Sequence, residues 1–401
     1  MVKLLNNIKG DKIIWTVVLL LSIVSILAVY SSTGSLSYRY HSGNTEYYLI
    51  KHLFIVLFGF GLMYATHLLS YKYYSGISII AMVITVPLLL VTMRMGTSLN
   101  EASRWLTLPG INLSFQTSDF AKLALILFIA RILAKKQDNI KDFKQAFIPI
   151  IVPIVIICGL ILPANFSTAA ILFVTNIVLI FVGRVSIKYI LALIGTVIVL
   201  LTIFIAILIN YSGHKVRLET WKHRIEVYAE SMKQKPDSLV DDKIKNGDLK
   251  INDENYQVMQ AKIAIATGGV LGKGPGNSVQ RNFLPHPYSD FIYAIIIEEY
   301  GIIGGFVILA LYMILMFRAI KIVTNSPGTF GAFLAFGLSF SLVFQALINM
   351  AVAVNLLPVT GQPLPFVSMG GTSIWFSSIA LGIILSVSKN ISQEGATNAE
   401  G

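Results

Sequence analysis

GGVLGKGPGNSVQRNFLPHPYSDFIYAIIIEEYG, residues 268–301, joins a glycine-rich loop to a long apolar run. Five glycines fall between Gly268 and Gly276, Lys273 and Arg281 supply positive charge, and Asp290 stands where the run begins. The run continues to Ile320, and a bilayer needs only about 20 mostly apolar residues. A carboxylate at the mouth of a membrane helix, behind a cationic glycine loop, points to a reactive site at the membrane surface.

Composition agrees with a membrane setting. The chain has 401 residues, 55% hydrophobic and 13% charged, with a mean hydropathy of +0.73. Soluble domains carry about a quarter charged residues, so a polytopic membrane protein is indicated. The net charge of +11 fits cytoplasmic loops facing anionic lipid. Nucleic acid is not an expected partner, because no soluble segment interleaves a basic stripe with aromatics. The single cysteine, Cys158, lies in an apolar segment, which excludes an intramolecular disulfide and a CxxC site. The first apolar segment lacks a cleavage pattern and reads as a retained helix.

The pattern predicts an all-α fold with about ten transmembrane helices, over residues 13–32, 49–69, 75–93, 118–134, 147–163, 168–184, 187–209, 290–318, 330–353 and 372–389. With the N-terminus inside, the short cytoplasmic loops collect most Lys and Arg, including Lys72, Lys135, Lys136, Arg184, Lys188, Arg318 and Lys389. Both termini are therefore expected in the cytoplasm. Residues 1–401 read as a single membrane domain, with a large extracytoplasmic loop over 211–289 and a short flexible cytoplasmic tail over 390–401.

That loop gathers charge the spans lack. Its first part has helical periodicity, and Arg217 and Arg224, seven apart, share a face. Its middle is polar, and its last part, YQVMQAKIAIATGGVLGKG, turns apolar without being long enough to span. This last part is expected at the interface or partway into the membrane.

Five motifs in order resemble the SEDS family of shape, elongation, division and sporulation proteins. They are SRW at Ser103–Trp105, QTSDFAKL at Gln116–Leu123, YQVMQAKIAIATGGVLGKGPGNSVQ from Tyr256, LPHPYSDFIYAIIIEEYG from Leu284, and QALINMAVAVNLLPVTGQPLPFVSMGGTS from Gln345. The wording around GNSVQ, and VYSS at Val29–Ser32, is more similar to the division branch (FtsW) than to the elongation branch (RodA). The chain departs from the family at PANFSTA, where Asn165 stands in place of a common aspartate and Ser167 in place of a glycine.

The resemblance implies a peptidoglycan glycosyltransferase that polymerises lipid II during cell division, at the outer face of the bacterial cytoplasmic membrane. The 4-hydroxyl of one sugar attacks C1 of another and polyprenyl pyrophosphate leaves. This needs a base, cations for the leaving group and a groove for the lipid tail. Asp290 is the candidate base; the competing reading is a helix cap. Arg104, Trp105, Arg217, Arg224, Gln257, Lys273, Gln280, Arg281, Ser289 and Ser368 are the expected substrate contacts. The Gly268–Gly276 loop is expected to approach the pyrophosphate, and Ser368, Gly370 and Gly371 to line the cavity. No metal-ligand motif is present, although a divalent cation, Mg or Mn, could bridge the pyrophosphate. A class B penicillin-binding protein is the implied partner, because the chain lacks SxxK and KTG motifs; other division proteins and membrane lipid are further partners. Two alternatives remain, a lipid II flippase or transporter and a non-catalytic division scaffold.

Lys122, Glu298 and Glu299 lie inside spans, where an unpaired charge costs a few kcal/mol or more. Glu298 should lie roughly 12 Å deeper than Asp290 by helical rise, within about 80° of the same face, with Glu299 nearly opposite. A Lys122–glutamate pair joining the fourth and eighth spans is the expected remedy. Gln345 and Asn349, one turn apart, are expected to hydrogen-bond between helices.

Overall fold

The computed structural model describes residues 10–34, 45–95, 97–99, 102–108, 113–210, 253–285 and 287–400. Ten helices there coincide with the ten expected spans. They are α1 (Lys12–Ser32), α2 (Thr45–Leu68), α3 (Tyr71–Met95), α4 (Thr117–Lys135), α5 (Ile148–Ile161), α6 (Phe166–Val182), α7 (Ile187–Asn210), α9 (Ile292–Asn325), α10 (Thr329–Ala353) and α11 (Gly371–Glu400). Among the described residues, seven helical segments are long and apolar enough to cross a bilayer: α1, α2, α3, α5 with the π-helical turn before it, α9, α10 and α11. α6 and residues 187–200 of α7 are shorter apolar helices. α4 carries Asp119, Lys122, Arg131 and Lys135, so its burial among the other helices rests on specific partners.

Two features depart from the sequence reading, and a third gives a loop segment its place. Residues 97–116 hold a small antiparallel sheet, β1 (Thr97–Leu99), β2 (Ala102–Leu108) and β3 (Leu113–Gln116), in the order β1-β2-β3. Strands this short leave little alternating pattern to read. In the part of the loop expected at the interface or partway into the membrane, α8 (Asp253–Gly268) packs against α9. Residues 390–400, expected as a flexible tail, continue α11; elongating a formed helix needs no new nucleus.

The helices expose apolar side chains and bury polar ones. Phe54, Ile80, Val83, Phe306 and Phe317 are exposed on long apolar helices, whereas Ser25, His52, Thr175, Asn176, Ser339 and Asn349 are buried. Lipid is the solvent such a surface suits. α1 begins at Asp11, whose Oδ1 accepts from Ile13 N at 2.9 Å and Ile14 N at 3.3 Å. Its Oδ2 accepts from Arg318 Nε on α9 at 2.8 Å. α6 begins at Asn165, whose Oδ1 accepts from Thr168 N at 3.2 Å, so the amide caps this helix without the carboxylate common in the family.

α11 lies along α2 through small residues. A Cβ at Gly59 would come within 2.7 Å of Ser378 Oγ, and one at Gly382 would overlap Thr66 Oγ1 and the Met63 carbonyl. Ser378, Gly382 and Ser386 repeat every four residues along that face, and Ser386 Oγ donates to Leu69 O. Helices in lipid gain by approaching closely through such stripes. Gly382→Ala should therefore cost about 1–3 kcal/mol and lower the unfolding temperature in detergent. Gly61→Ala, on the same helix pair with nothing within 4 Å of its added Cβ, should not; equal melting of the two variants would contradict this packing.

Candidate active site

α9 is broken. Gly301 has φ 70° and ψ −175°, a conformation open essentially to glycine alone. The segment after α8 fills the break. Lys273 N donates to Glu298 O at 3.0 Å and Gly274 N to Glu299 O at 2.9 Å, while Ile302 N donates to Gly269 O at 3.0 Å. Backbone groups freed by the break thus find partners on the inserted loop, as membrane depth requires.

Three glycines serve this backbone contact. A Cβ at Gly268 would overlap Ile297 O, one at Gly272 would overlap Glu299 O, and one at Gly301 would overlap Val270 O. At Gly268, Gly272 and Gly301 the missing Cβ lets two backbones touch. Lys273 and Arg281 are likewise committed. Lys273 Nζ lies 2.7 Å from Glu298 Oε1, and Arg281 Nη1 donates to Ser31 O and Oγ, each at 3.0 Å. The sequence contained the cations, but their carboxylate and carbonyl partners become visible only once the loop folds back.

The expected Lys122–glutamate pair does not form. Lys122 Nζ pairs with Asp119 Oδ1 at 2.8 Å, one turn earlier on α4, and donates to Gln345 Oε1 at 3.0 Å. Glu298 accepts instead from Ser278 Oγ at 2.5 Å, Val279 N at 3.1 Å and Gln280 N at 3.2 Å, besides Lys273. Glu299 does not point away to a separate environment; it accepts from Ser31 Oγ on α1 and from Ser278 N at 3.4 Å. Both glutamates serve the same loop because that loop wraps across the break. Asp119, Lys122, Gln345, Ser341, Ser373 and Ser377 line a cleft whose apolar floor includes Ile126, Leu338 and Leu342.

Asp290 lies in the turn before α9. The N-cap of α9 is Phe291, the residue after Asp290, and the Phe291 side chain makes no cap bond. Three successive carbonyls hold its turn. Tyr288 O accepts from Met369 N at 2.8 Å, Ser289 O from Ser368 Oγ at 2.6 Å, and Asp290 O from Asn349 Nδ2 at 2.9 Å. Ser289 Oγ donates to Asp290 Oδ1 at 2.9 Å. Gly361, at φ 64°, sits so close that a Cβ there would lie 3.6 Å from Asp290 Oδ2.

Asn349 lies on α10, and Ser368 and Met369 lie in residues 361–370, irregular backbone between α10 and α11. Four carbonyls of this segment are satisfied by buried side chains. Gln362 O accepts from Asn349 Nδ2 at 2.7 Å and Pro363 O from Gln345 Nε2 at 2.9 Å. Pro365 O accepts from the Tyr312 hydroxyl, and Val367 O from Ser25 Oγ at 2.8 Å. Because Ser25 spends its proton on Val367, His52 Nε2 is the donor in the 2.8 Å contact to Ser25 Oγ. Phe366 is held at φ 64°, unusual for a bulky residue. Ser368, expected to face substrate, is buried and braces the loop. Gln345 and Asn349 do bond across the bundle, as the sequence suggested, but to this loop.

The remaining expected residues divide as follows. Arg104 and Trp105 lie on β2, with Trp105 opposite both Thr97 and Gln116; their side chains are outside the described residues. Arg217 and Arg224 also lie outside them. Gln257 is half-buried on α8, where burial pushes the Lys262 ammonium below its usual range. Gln280 is buried with its backbone on Glu298. Sequence reasoning missed Ser31, Ser278, Gly361 and Gln362 as contributors. Only Ser31, a polar residue at the end of an apolar span, carried a readable signal.

Residues 11–393 match the FtsW/RodA/SpoVE family model, described as cell cycle protein. The chain belongs to this family. It is 31% identical to the probable peptidoglycan glycosyltransferase FtsW of Trichlorobacter lovleyi, over 95% of this chain and 93% of that one. Identity to the stage V sporulation protein E of Bacillus subtilis is also 31%, over 94% and 97% of the two chains. Among solved structures, the fold is similar to the rod shape determining protein RodA of Thermus thermophilus, with TM-score 0.65, 20% identity and coverage of 96% and 98%. It is also similar to a chain of a peptidoglycan synthase complex that coordinates polymerization and crosslinking, with TM-score 0.67, 23% identity and coverage of 96% and 99%. The motifs read from the sequence as resembling SEDS proteins are therefore those of an FtsW/RodA/SpoVE member.

Within this family member, Gly301→Ala should prevent the loop from seating, at a cost above about 3 kcal/mol. Gly276→Ala, at φ 77° but in open space, should cost only about 1 kcal/mol. Thermal unfolding and size-exclusion profiles of the two variants test this; similar behaviour would contradict the inserted loop.

Proposed function

We propose that this protein is a peptidoglycan glycosyltransferase that polymerises lipid II at the outer face of the cytoplasmic membrane during division, with both termini in the cytoplasm. The observation that carries the reading is Asp290, mounted on three clamped carbonyls at the entrance to α9, in a chain of the FtsW/RodA/SpoVE family. Its relatives' names as peptidoglycan glycosyltransferases support it.

In this reading Asp290 accepts the proton of the attacking 4-hydroxyl. That oxygen forms its bond to C1 of the donor sugar as the C1–oxygen bond to pyrophosphate breaks, and polyprenyl pyrophosphate leaves as the anion. Rigid mounting favours this step, because a base must sit within hydrogen-bond reach of the proton it takes. Lys273 and Arg281 are engaged elsewhere, so charge for the leaving group falls to Arg104, Arg217 and Arg224. Among the described residues no group of three His, Cys, Asp or Glu is placed to hold a metal, so a divalent cation would arrive on the pyrophosphate oxygens. The polar cluster at Asp119 and Lys122 lies in the first turns of α4, next to β3, which favours chemistry at one face over a polar path through the bundle.

A class B penicillin-binding protein supplies crosslinking in this reading, and the septum is the site of action. The fold shared with a chain of a synthase complex supports such an assembly.

Purified protein with its partner should convert lipid II to polymer, and Asp290→Ala and Asp290→Asn should lower the rate by on the order of a hundredfold or more with unchanged melting. Full polymerisation by either variant would remove Asp290 as the base. Lipid II movement across vesicles without polymer would favour the flippase instead.

A further inference from the structure

The glycosyl transfer proposed above needs Asp290 held still, and the clamp on residues 288–290 secures only one end of the segment that carries it. The other end is gripped at the α9 break. Glu298 is fully buried, and its two oxygens take four donors: Lys273 Nζ at 2.7 Å, Ser278 Oγ at 2.5 Å, Val279 N at 3.1 Å and Gln280 N at 3.2 Å. The successive amides of Val279 and Gln280 form a small anion-binding nest, occupied here by a side chain of the same molecule. Gln280 also opens a 3-10 turn over Gln280–Asn282, so Glu298 satisfies the amide that opens this turn.

From there the chain has little freedom. Leu284 N donates to Gln280 O at 3.0 Å. The Leu284 side chain is buried in a cluster with Ala261 and Ala264 of α8 and Phe291, Ala294 and Ile295 beside Asp290. A buried carboxylate is costly, and an apolar residue of similar volume would often serve stability as well. What an apolar residue would not do is order Lys273, Ser278, Val279 and Gln280 around one point.

We propose that Glu298 is a positioning residue for the transfer reaction, the anchor that seats the 273–285 segment in the α9 break and through it sets the place of Asp290. This rests on the assignment of Asp290 as base. Glu298 touches no reacting atom. Its effect reaches the chemistry through the 3-10 turn and the Leu284 cluster.

The test pairs amide hydrogen exchange over residues 273–285 with steady-state lipid II polymerisation, for wild type, Glu298→Gln, Lys273→Met and Asp290→Asn. Glu298→Gln keeps the shape but replaces one acceptor oxygen with an NH2 group among donors. Exchange at residues 278–280 should quicken about tenfold or more, and kcat should fall on the order of ten- to a hundredfold while KM stays within about twofold. Lys273→Met, which leaves three donors in place, should show the same pattern more weakly. Should Glu298→Gln fail to fold, Ser278→Ala removes one donor, keeps the charge and should give the same signature at smaller amplitude.

Unchanged exchange overturns the anchor. Faster exchange with unchanged kcat, or a rise confined to KM, overturns the positioning role. An inactive Asp290→Asn beside a fully active Glu298→Gln overturns this proposal alone. An active Asp290→Asn overturns the base and, with it, the route through Asp290.

Discussion

Irregular backbone at membrane depth must find a partner for every N–H and C=O, because lipid offers none. Among the described residues, the break at Gly301 and the segment 361–370 are two stretches that leave regular helix and find such partners. At Gly301 a second stretch of chain supplies the missing backbone groups. At 361–370 the donors are the side chains of Ser25, Tyr312, Gln345 and Asn349, drawn from three different helices. The turn bearing Asp290 runs between these two places.

Charge inside the bundle follows the same logic. Among the described residues, three buried carboxylates pair with cations: Asp119 with Lys122, Glu298 with Lys273 and Asp11 with Arg318. None of these pairs need add much net stability, because desolvation offsets much of the attraction. Their value lies in geometry. Asp11 ties the start of α1 to α9, Lys122 carries a contact from α4 through Gln345 to Pro363, and Glu298 collects a loop.

Much of the architecture was legible from residue order alone. The ten apolar segments became ten helices, and among the described residues seven helical segments have the length and apolar character that a bilayer demands. Asp290 stood out as a lone carboxylate at the mouth of one of them. The cations of the glycine loop were legible as charges but not as a site. Lys273 and Arg281 find carboxylate and carbonyl partners 25 and 250 positions away, and no local spacing announces such pairs. The glycines were ambiguous for a similar reason. A glycine that lets a ligand approach and a glycine that lets another backbone approach are the same letter.

The sequence by itself determined that this is a helical membrane protein, which segments are helical, the family its motifs belong to and which carboxylate to examine. These follow from hydropathy, local period and motif order, all of them properties of neighbouring residues. Tertiary structure alone decided that α9 breaks at Gly301, that Glu298 and Glu299 hold a loop from outside the helix, and that Asn349 and Ser368 brace Asp290. Those outcomes depend on which unsatisfied backbone group meets which distant donor, and that matching exists only when the helices are packed.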